Sequence, residues 1–199
     1  MKLIPRVLAG LALMALVLPV SAQRIKLTDG SLTELKGETK INTEFTYDHM
    51  KVGKFDSEEE YIQKKTAEYN KKEPGKGDTW AKAWVSDRAG RFEPKFNQLF
   101  TDNSDGITAG NEPAAKYTLL FKTAFTEPGF NVGVWRQNAE MDGEAWIVET
   151  ANKEKVVAKL SVNDAKGRLM GFDFDTGLRI QEAYADAAKA LAKYIRKQL

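Results

Sequence analysis

The chain ends in residues 171–199, GFDFDTGLRIQEAYADAAKALAKYIRKQL, an aspartate-bearing segment followed by a long helical pattern. Asp175 stands where a carboxylate accepts hydrogen bonds from the first amides of a helix. A helix of roughly 22 residues spans about 33 Å, enough to cross a small sheet. Its apolar residues recur three or four positions apart and form one continuous face: Ile180, Tyr184, Ala187, Leu191 and Ile195. We therefore expect this helix to close the core.

Upstream of the helix, three segments are predicted to be extended, and the first and the last of them alternate apolar and polar residues with the period of two that is typical of strands. They are residues 116–125, 139–150 and 155–162. Short connections join them, so neighbouring segments are expected to pair antiparallel as a meander. The same alternation indicates an earlier strand over residues 40–47.

Helical patterns fill the region between the first strand and the meander. A helix is predicted over residues 57–72, where a capping box precedes the apolar positions. A second helical region, interrupted near its middle, is predicted over residues 78–100, with Trp80 and Trp84 four residues apart. The element order β-α-α-β-β-β-α predicts an α+β fold. We expect a two-layer sandwich in which helices, including the long C-terminal one, cover a mostly antiparallel sheet.

The start of the chain has the composition of a secretory leader. Residues 1–22 combine a basic beginning, an apolar run and small residues before a cleavage site near Ala22 and Gln23. The mature protein is therefore expected in the periplasm or outside the cell. Residues 23–39 show little periodicity and are expected to be loosely ordered. The remainder, residues 40–199, is predicted to form a single α+β domain.

Charge and cysteine content exclude several functions. Two of the 30 basic residues lie in the leader, so 28 remain against 28 acidic residues and the mature formal net charge is near zero. Nucleic acid is therefore not an expected partner, and neither is an anionic membrane surface. The absence of cysteine excludes disulfides, thiolate metal sites and a cysteine-linked lipid anchor. No segment after the leader has the length and apolarity expected of a membrane span.

Four segments within residues 78–199 resemble uncharacterised secreted or periplasmic proteins of Gram-negative bacteria: DTWAKAW, FEPKFNQLF, KYTLLFKTAFTEPGFNVG and GFDFDTGLRIQEAYADAAKALAKYI. The order of strands closed by an alanine-rich helix is similar in architecture to the α/β module of the TolB amino-terminal domain and of curli-assembly and penicillin-binding-protein-activating lipoproteins. This resemblance implies an envelope protein, although the lipidated cysteine of the lipoproteins is missing here. It implies no activity, because a fold does not carry a function with it.

The aspartates before the C-terminal helix suggest chemistry that their surroundings do not support. The Asp-Thr-Gly sequence that begins at Asp175 also occurs in aspartic proteases, and Asp173 and Asp175 have the spacing of aspartyl-phosphate phosphatases. The second catalytic lobe of the proteases and the doubly wound domain of the phosphatases are both missing. A divalent cation held by these two residues and a third carboxylate such as Asp164 is an alternative to simple helix capping. We expect no catalytic residue, no cofactor and no metal site.

The remaining candidate residues are binding residues. Trp80 and Trp84 form either part of the core or, with Trp135, an aromatic platform for a flat ligand. Arg179 either pairs with Asp175 one turn earlier or orients the aspartate segment. The exposed segment 127–133 is a candidate partner-binding tip, with Glu127, Phe130 and Asn131 as contact residues.

The only histidine, His49, excludes a histidine metal cluster, and no nucleophile-elbow motif accompanies it. These features favour a non-enzymatic periplasmic or secreted protein, a binding or assembly accessory whose partner is an unknown envelope protein or glycan. The alternative is a small-molecule or glycan-binding protein that uses the aromatic face of Trp80 and Trp84. An envelope hydrolase is the third possibility.

Overall fold

The computed structural model describes residues 24–168 and 174–199. Over these residues the helices are α1 (Glu58–Lys72), α2 (Lys76–Asp87), α3 (Glu93–Asn103) and α4 (Thr176–Gln198). The strands are β1 (Arg24–Gly30), β2 (Lys40–Thr46), β3 (Lys51–Val52), β4 (Thr108–Gly110), β5 (Tyr117–Glu127), β6 (Phe130–Asn131), β7 (Arg136–Gln137), β8 (Ala139–Glu149) and β9 (Asn152–Gly167). The expected leader, residues 1–22, and Asp173 lie outside the described residues.

Seven strands form the main sheet, in the order β1-β9-β8-β5-β2-β4, and β3 pairs with β5. The long pairings of β1 with β9, β9 with β8 and β8 with β5 are antiparallel. The shorter pairings of β2 with β4 and of β5 with β2 and β3 are parallel. The predicted α+β class, the mostly antiparallel sheet and the meander are therefore confirmed.

Helix α4 lies against β8 and β9, and α3 packs beside it. Its predicted apolar face is confirmed, because Ile180, Tyr184, Ala187, Leu191 and Ile195 are all buried. The facing strand residues are also buried: Leu119, Phe121, Ala145, Ile147, Leu160 and Val162. Full burial of one such large apolar side chain stabilises the fold by roughly 1.5–3 kcal/mol.

The opposite face of the sheet is polar. Trp146 on β8 has the ammonium groups of Lys122 and Lys159 at 3.1 and 4.4 Å from its ring centroid. Lysine pairs favourably with an aromatic ring because the ring face carries negative partial charge. The indole is thus occupied by neighbours of its own sheet. The helices therefore cover the other, apolar face of the sheet, as the prediction of a two-layer sandwich requires.

The expectation that residues 23–39 are loosely ordered is wrong for the described part of that segment. Arg24–Gly30 forms edge strand β1, antiparallel to β9, with Ile25 opposite Val162. Leu32 and Leu35, which follow it, are 2% and 1% exposed. The strand has seven residues, but its alternation is limited to Ile25 and Leu27, on either side of Lys26, which is too brief a pattern to indicate a strand by itself. Its order comes from pairing with a strand more than a hundred residues later.

The predicted element order is also incomplete. It lacks β1, β3, β4 and a third helix before the meander. The interrupted helical region is two helices, α2 and α3, joined by a π-helical turn at Arg88–Phe92. Strands of two or three residues, such as β3 and β4, are too short to show a period of two. Among the described helices, none combines the length and the apolar composition that a bilayer crossing requires.

Candidate functional site

Asp175 caps the first turn of α4 and is tied to the preceding helical layer. Its Oδ1 accepts a hydrogen bond from the Leu178 amide at 3.2 Å, and its Oδ2 lies 2.9 Å from Arg91 Nη1. Burial by itself raises the pKa of this carboxyl. The hydrogen bond from Arg91 and those from the amides of Leu178 and Gly177 outweigh burial, so the pKa of Asp175 lies below its usual value. The carboxylate is therefore held ionised as a cap.

Arg91 also binds a second carboxylate, that of Asp87, with Nε to Oδ1 at 3.0 Å. Burial raises the pKa of Asp87 and outweighs the attraction of Arg91, while the charge of Asp175 raises it further. Gly177 is buried next to the side chains of Asp87 and Arg91. A Cβ atom at position 177 would collide with the Asp87 carboxylate and the Arg91 guanidinium. The Asp-Thr-Gly sequence therefore begins helix α4 and packs against the ion pairs that Arg91 forms with Asp87 and Asp175.

Arg179, on the same helix turn, connects α4 to the connection between β5 and β8. The side chain is buried, although guanidinium groups are rarely buried without partners. Its Nε donates to the carbonyl oxygen of Pro128 at 3.1 Å, and its Nη2 donates to that of Gly129 at 3.3 Å and to Thr176 Oγ1 at 2.9 Å. Arg179 therefore orients this connection, while the carboxylate of Asp175 binds Arg91 instead.

The connection between β5 and β8 is a hairpin in which β6 pairs with β7. Its residues 130–135, which we name the hairpin tip, are strongly apolar and exposed. The exposed fractions are 41% for Phe130, 65% for Val132, 91% for Val134 and 73% for Trp135. Soluble surfaces normally carry such residues singly rather than side by side.

The polar residues of the predicted tip serve its turns. Glu127 Oε1 accepts from the Gly129 amide at 3.0 Å, and Asn131 Oδ1 accepts from the Gly133 amide at 2.9 Å. Among the residues proposed from the sequence, Phe130 presents an apolar surface. The predicted tip, residues 127–133, includes Val132 but ends before Val134 and Trp135, because an apolar run in extended chain usually indicates a strand.

Trp84 and Trp80 differ in their exposure. Trp84 is 8% exposed, and its Nε1 donates to Glu58 Oε1 at 2.6 Å. Arg88 binds the same carboxylate. Trp80 is half-buried, with its ring centroid 5.7 Å from those of Tyr61, Tyr69 and Trp84. Most of the aromatic surface at α2 is thus engaged by neighbouring rings.

A cleft of about 300 Å³ separates α2 from the beginning of α4. Aromatic residues form one part of its wall, and the Asp87, Arg91 and Asp175 ion-pair network forms another. The structure therefore brings Trp80, Trp84 and Asp175 of the sequence-predicted residues into one cleft. It places the others, Glu127, Phe130, Asn131 and Arg179, at the hairpin. The full aromatic part of the wall is Tyr69, Trp80, Trp84 and Phe174.

The structure groups Asp164 with Glu140 and Asp142, whose carboxylate oxygens lie within 4.8 Å of one another. Burial raises the pKa of Glu140, and the charges of Asp164 and Asp142 raise it further, against the attraction of Lys166. The ammonium group of Lys166 lies 3.7 Å from Glu140. Carboxylates are the ligands that hard cations prefer. The cation site considered from the sequence combined Asp164 with Asp173 and Asp175. Asp173 lies outside the described residues, and the carboxylates that the structure places beside Asp164 are Glu140 and Asp142.

His49 is exposed and has a left-handed backbone conformation, with φ of 58°. It lines an open cleft together with Glu58, Glu59 and Arg88. The Glu58 carboxylate is already bound by Arg88 and Trp84. The single histidine therefore stands beside a satisfied ion pair.

No protein-family model matches the chain, and no curated protein sequence matches it either. Among solved structures, a chain of the PelC dodecamer from Paraburkholderia phytofirmans is weakly similar to this chain. The two chains share 11% identity, the match covers 89% of this chain and 96% of that chain, and the TM-score is 0.36. Similarity at this level assigns neither a family nor a function.

Proposed function

We propose that the protein is a non-enzymatic binding or assembly accessory of the cell envelope that docks through the hairpin tip. The observation that carries the proposal is the exposure of four large apolar side chains within residues 130–135, reaching 91% at Val134. Leaving such a patch in water is unfavourable by about 25 cal/mol per Å² of apolar surface. A contiguous patch of this kind marks an interaction site.

The base of the hairpin is fixed, which suits it to binding. Arg179 donates to the carbonyl oxygens of Pro128 and Gly129, so the chain leaves the sheet in one direction. Gly129 has a φ of 63°, and a Cβ atom there would collide with the backbone of Gln137. A surface that is ordered before binding loses less conformational entropy when it meets its partner.

The carboxylates nearest to the suspected catalytic patterns already have structural partners, which supports a non-enzymatic role. Asp175 caps α4 and binds Arg91, and Glu58 binds Trp84 and Arg88. We therefore do not propose that the protein is an envelope hydrolase. The envelope location, periplasmic or secreted, is proposed from the leader-like composition of residues 1–22.

Site-specific photocrosslinking tests the proposal. A photoreactive amino acid replaces Val134 at the tip or, as the control, Val85 on α2, which is also an exposed valine at 48%. Each protein is irradiated with isolated cell envelopes. Specific adducts from position 134 with none from position 85 support docking through the tip. Equal adduct formation from both positions, or none from position 134, contradicts it.

A second candidate function is the binding of a small molecule or glycan in the cleft between α2 and α4. The favouring observation is that Trp80 lines the same cleft as Arg91 and Asp175. Aromatic walls with a few polar groups are the usual composition of small-ligand sites. Burial of Trp84 counts against the broad two-tryptophan platform expected from the sequence. Titration of the protein and of Trp80→Ala with envelope oligosaccharides, followed by tryptophan fluorescence, tests this second candidate.

A further inference from the structure

We infer that the partner of the hairpin tip is the surface of a lipid bilayer, into which residues 130–135 insert to the depth of the headgroups and upper acyl chains. The inference rests on the proposed docking role of the tip and adds the chemistry of its partner. A bilayer surface accepts a convex apolar projection, and the tip is the end of a two-stranded hairpin rather than a groove.

The composition of the tip matches the membrane interface. Residues 128–135, PGFNVGVW, contain no charged side chain. The most exposed members are Val134 and Trp135. Tryptophan favours the boundary between headgroups and acyl chains, because its indole ring joins an apolar body to an N–H donor. Phe130 and the two valines add apolar area on the same projection.

The backbone of the tip is already hydrogen-bonded within the hairpin. The Val132 amide donates to the Trp135 carbonyl oxygen at 3.0 Å, and the Val134 amide donates to the Val132 carbonyl oxygen at 3.1 Å. The Gly133 amide donates to Asn131 Oδ1 at 2.9 Å. Unsatisfied amides are costly in an apolar medium, so a loop that enters lipid needs such internal partners.

The charges around the tip complement phosphate headgroups. Arg136 follows the uncharged run at once and is exposed. Lys54 and Lys65 line a shallow groove at the base of the hairpin. The acidic residue of that groove, Glu127, is turned back onto the Gly129 amide. Lys65 also pairs with Glu68 at 3.3 Å, so Arg136 and Lys54 are the cations beside the apolar projection that are best placed to meet headgroup phosphates.

The near-zero net charge of the mature chain limits how the protein would reach a membrane. Long-range attraction to an anionic surface is weak for such a chain. Binding must then come mainly from burial of the apolar tip. The expected signature is binding to zwitterionic vesicles as well as anionic ones, with little dependence on salt concentration. A protein bound by electrostatic attraction alone shows the opposite behaviour.

Co-sedimentation of the mature chain with phosphatidylcholine vesicles, and with mixed phosphatidylethanolamine and phosphatidylglycerol vesicles, tests the inference. We expect Val134→Ser/Trp135→Ser to lower the partition coefficient about tenfold or more, since two large side chains no longer enter lipid. Val85→Ser on α2, the matched control, leaves it unchanged. In parallel, lipids brominated on the acyl chains quench part of the wild-type tryptophan fluorescence, and the quenching is lost in Trp135→Phe.

The outcomes separate this inference from the proposed function. Vesicle binding that is absent, or equally strong in the tip variant, overturns the bilayer inference. If crosslinks from position 134 then identify a protein, the docking role stands and only its lipid partner is wrong. If neither vesicle binding nor crosslinking depends on the tip, both proposals fail.

Discussion

Arg179 Nε donates to the carbonyl oxygen of Pro128 at 3.1 Å, which joins the first turn of the terminal helix to the base of the hairpin. The same guanidinium reaches the carbonyl oxygen of Gly129. The element that closes the core therefore also orients the surface proposed for docking. Changes at the helix start are expected to act on the hairpin, whereas changes at the hairpin tip need not act on the core.

The first prediction concerns this buried arginine. Arg179→Ala leaves the buried carbonyl oxygen of Pro128 and the partly buried one of Gly129 without this donor and is expected to lower the free energy of unfolding by about 2–4 kcal/mol. Arg179→Lys keeps the positive charge but replaces the several N–H donors of the guanidinium with one ammonium group. Its free energy of unfolding should therefore lie between those of Arg179→Ala and the wild type. Urea unfolding measures both. Arg196→Ala, at an exposed arginine of the same helix, is the control. An Arg179→Ala protein as stable as this control contradicts the anchoring role.

A second prediction concerns Gly177. In Gly177→Ala the added methyl group meets the Asp87 carboxylate and the Arg91 guanidinium, which must shift. Both groups are the ends of flexible side chains, so the expected cost is only the loosening of their ion pairs, about 0.5–1 kcal/mol relative to the control. Gly90→Ala is the matched control, because no atom lies within 4 Å of the added methyl group there. Thermal unfolding of both variants should show a loss only at position 177. Equal melting temperatures would rule out the close contact.

A third prediction concerns pH and the acidic cluster. Burial and the neighbouring carboxylates raise the pKa of Glu140, so its folded form binds a proton more readily than its unfolded form. Its contribution to stability is therefore fully present below the unfolded pKa, about 4.3, and is lost as pH rises through the higher folded pKa. Glu140→Gln, which mimics the protonated group, should be more stable than the wild type at pH 7.

The advantage of Glu140→Gln should shrink as the pH falls and disappear near pH 4. Urea unfolding across this pH range measures it, with the exposed Glu154→Gln as the control. A constant difference between Glu140→Gln and the wild type at every pH would show that the pKa of Glu140 is not raised in the folded state.

Features fixed by neighbouring residues could be predicted from the sequence. The face of α4 from Ile180 to Ile195 follows from helical spacing, and Ser57 accepts from the Glu60 amide as the capping box predicts. Strands β5, β8 and β9 pair antiparallel because short connections leave them no other arrangement. Each of these features depends on residues close together in the chain.

Features fixed by distant residues could not be predicted. Strand β1 depends on β9, and Arg179 binds carbonyl oxygens some fifty residues earlier. Whether Val134 and Trp135 are exposed could not be decided from the sequence either, because an apolar run has the same composition in a buried strand and in a docking surface. Only the position of the hairpin relative to the sheet distinguishes the two.

A fourth prediction separates stability from docking. Val134 and Trp135 are exposed and lie away from the core, so Val134→Ser/Trp135→Ser should change the free energy of unfolding by no more than about 0.5 kcal/mol. Urea unfolding of this variant beside the wild type checks the expectation. A large loss of stability would mean that the tip packs within its own fold rather than serving a partner.

The most direct test of the docking surface is the fraction of a purified protein of residues 23–199 that is retained by isolated cell envelopes. The account predicts that Val134→Ser/Trp135→Ser loses most of this retention while remaining folded, and that Val85→Ser keeps the wild-type value. Retention of the tip variant at the wild-type level would contradict the claim that residues 130–135 are the docking surface.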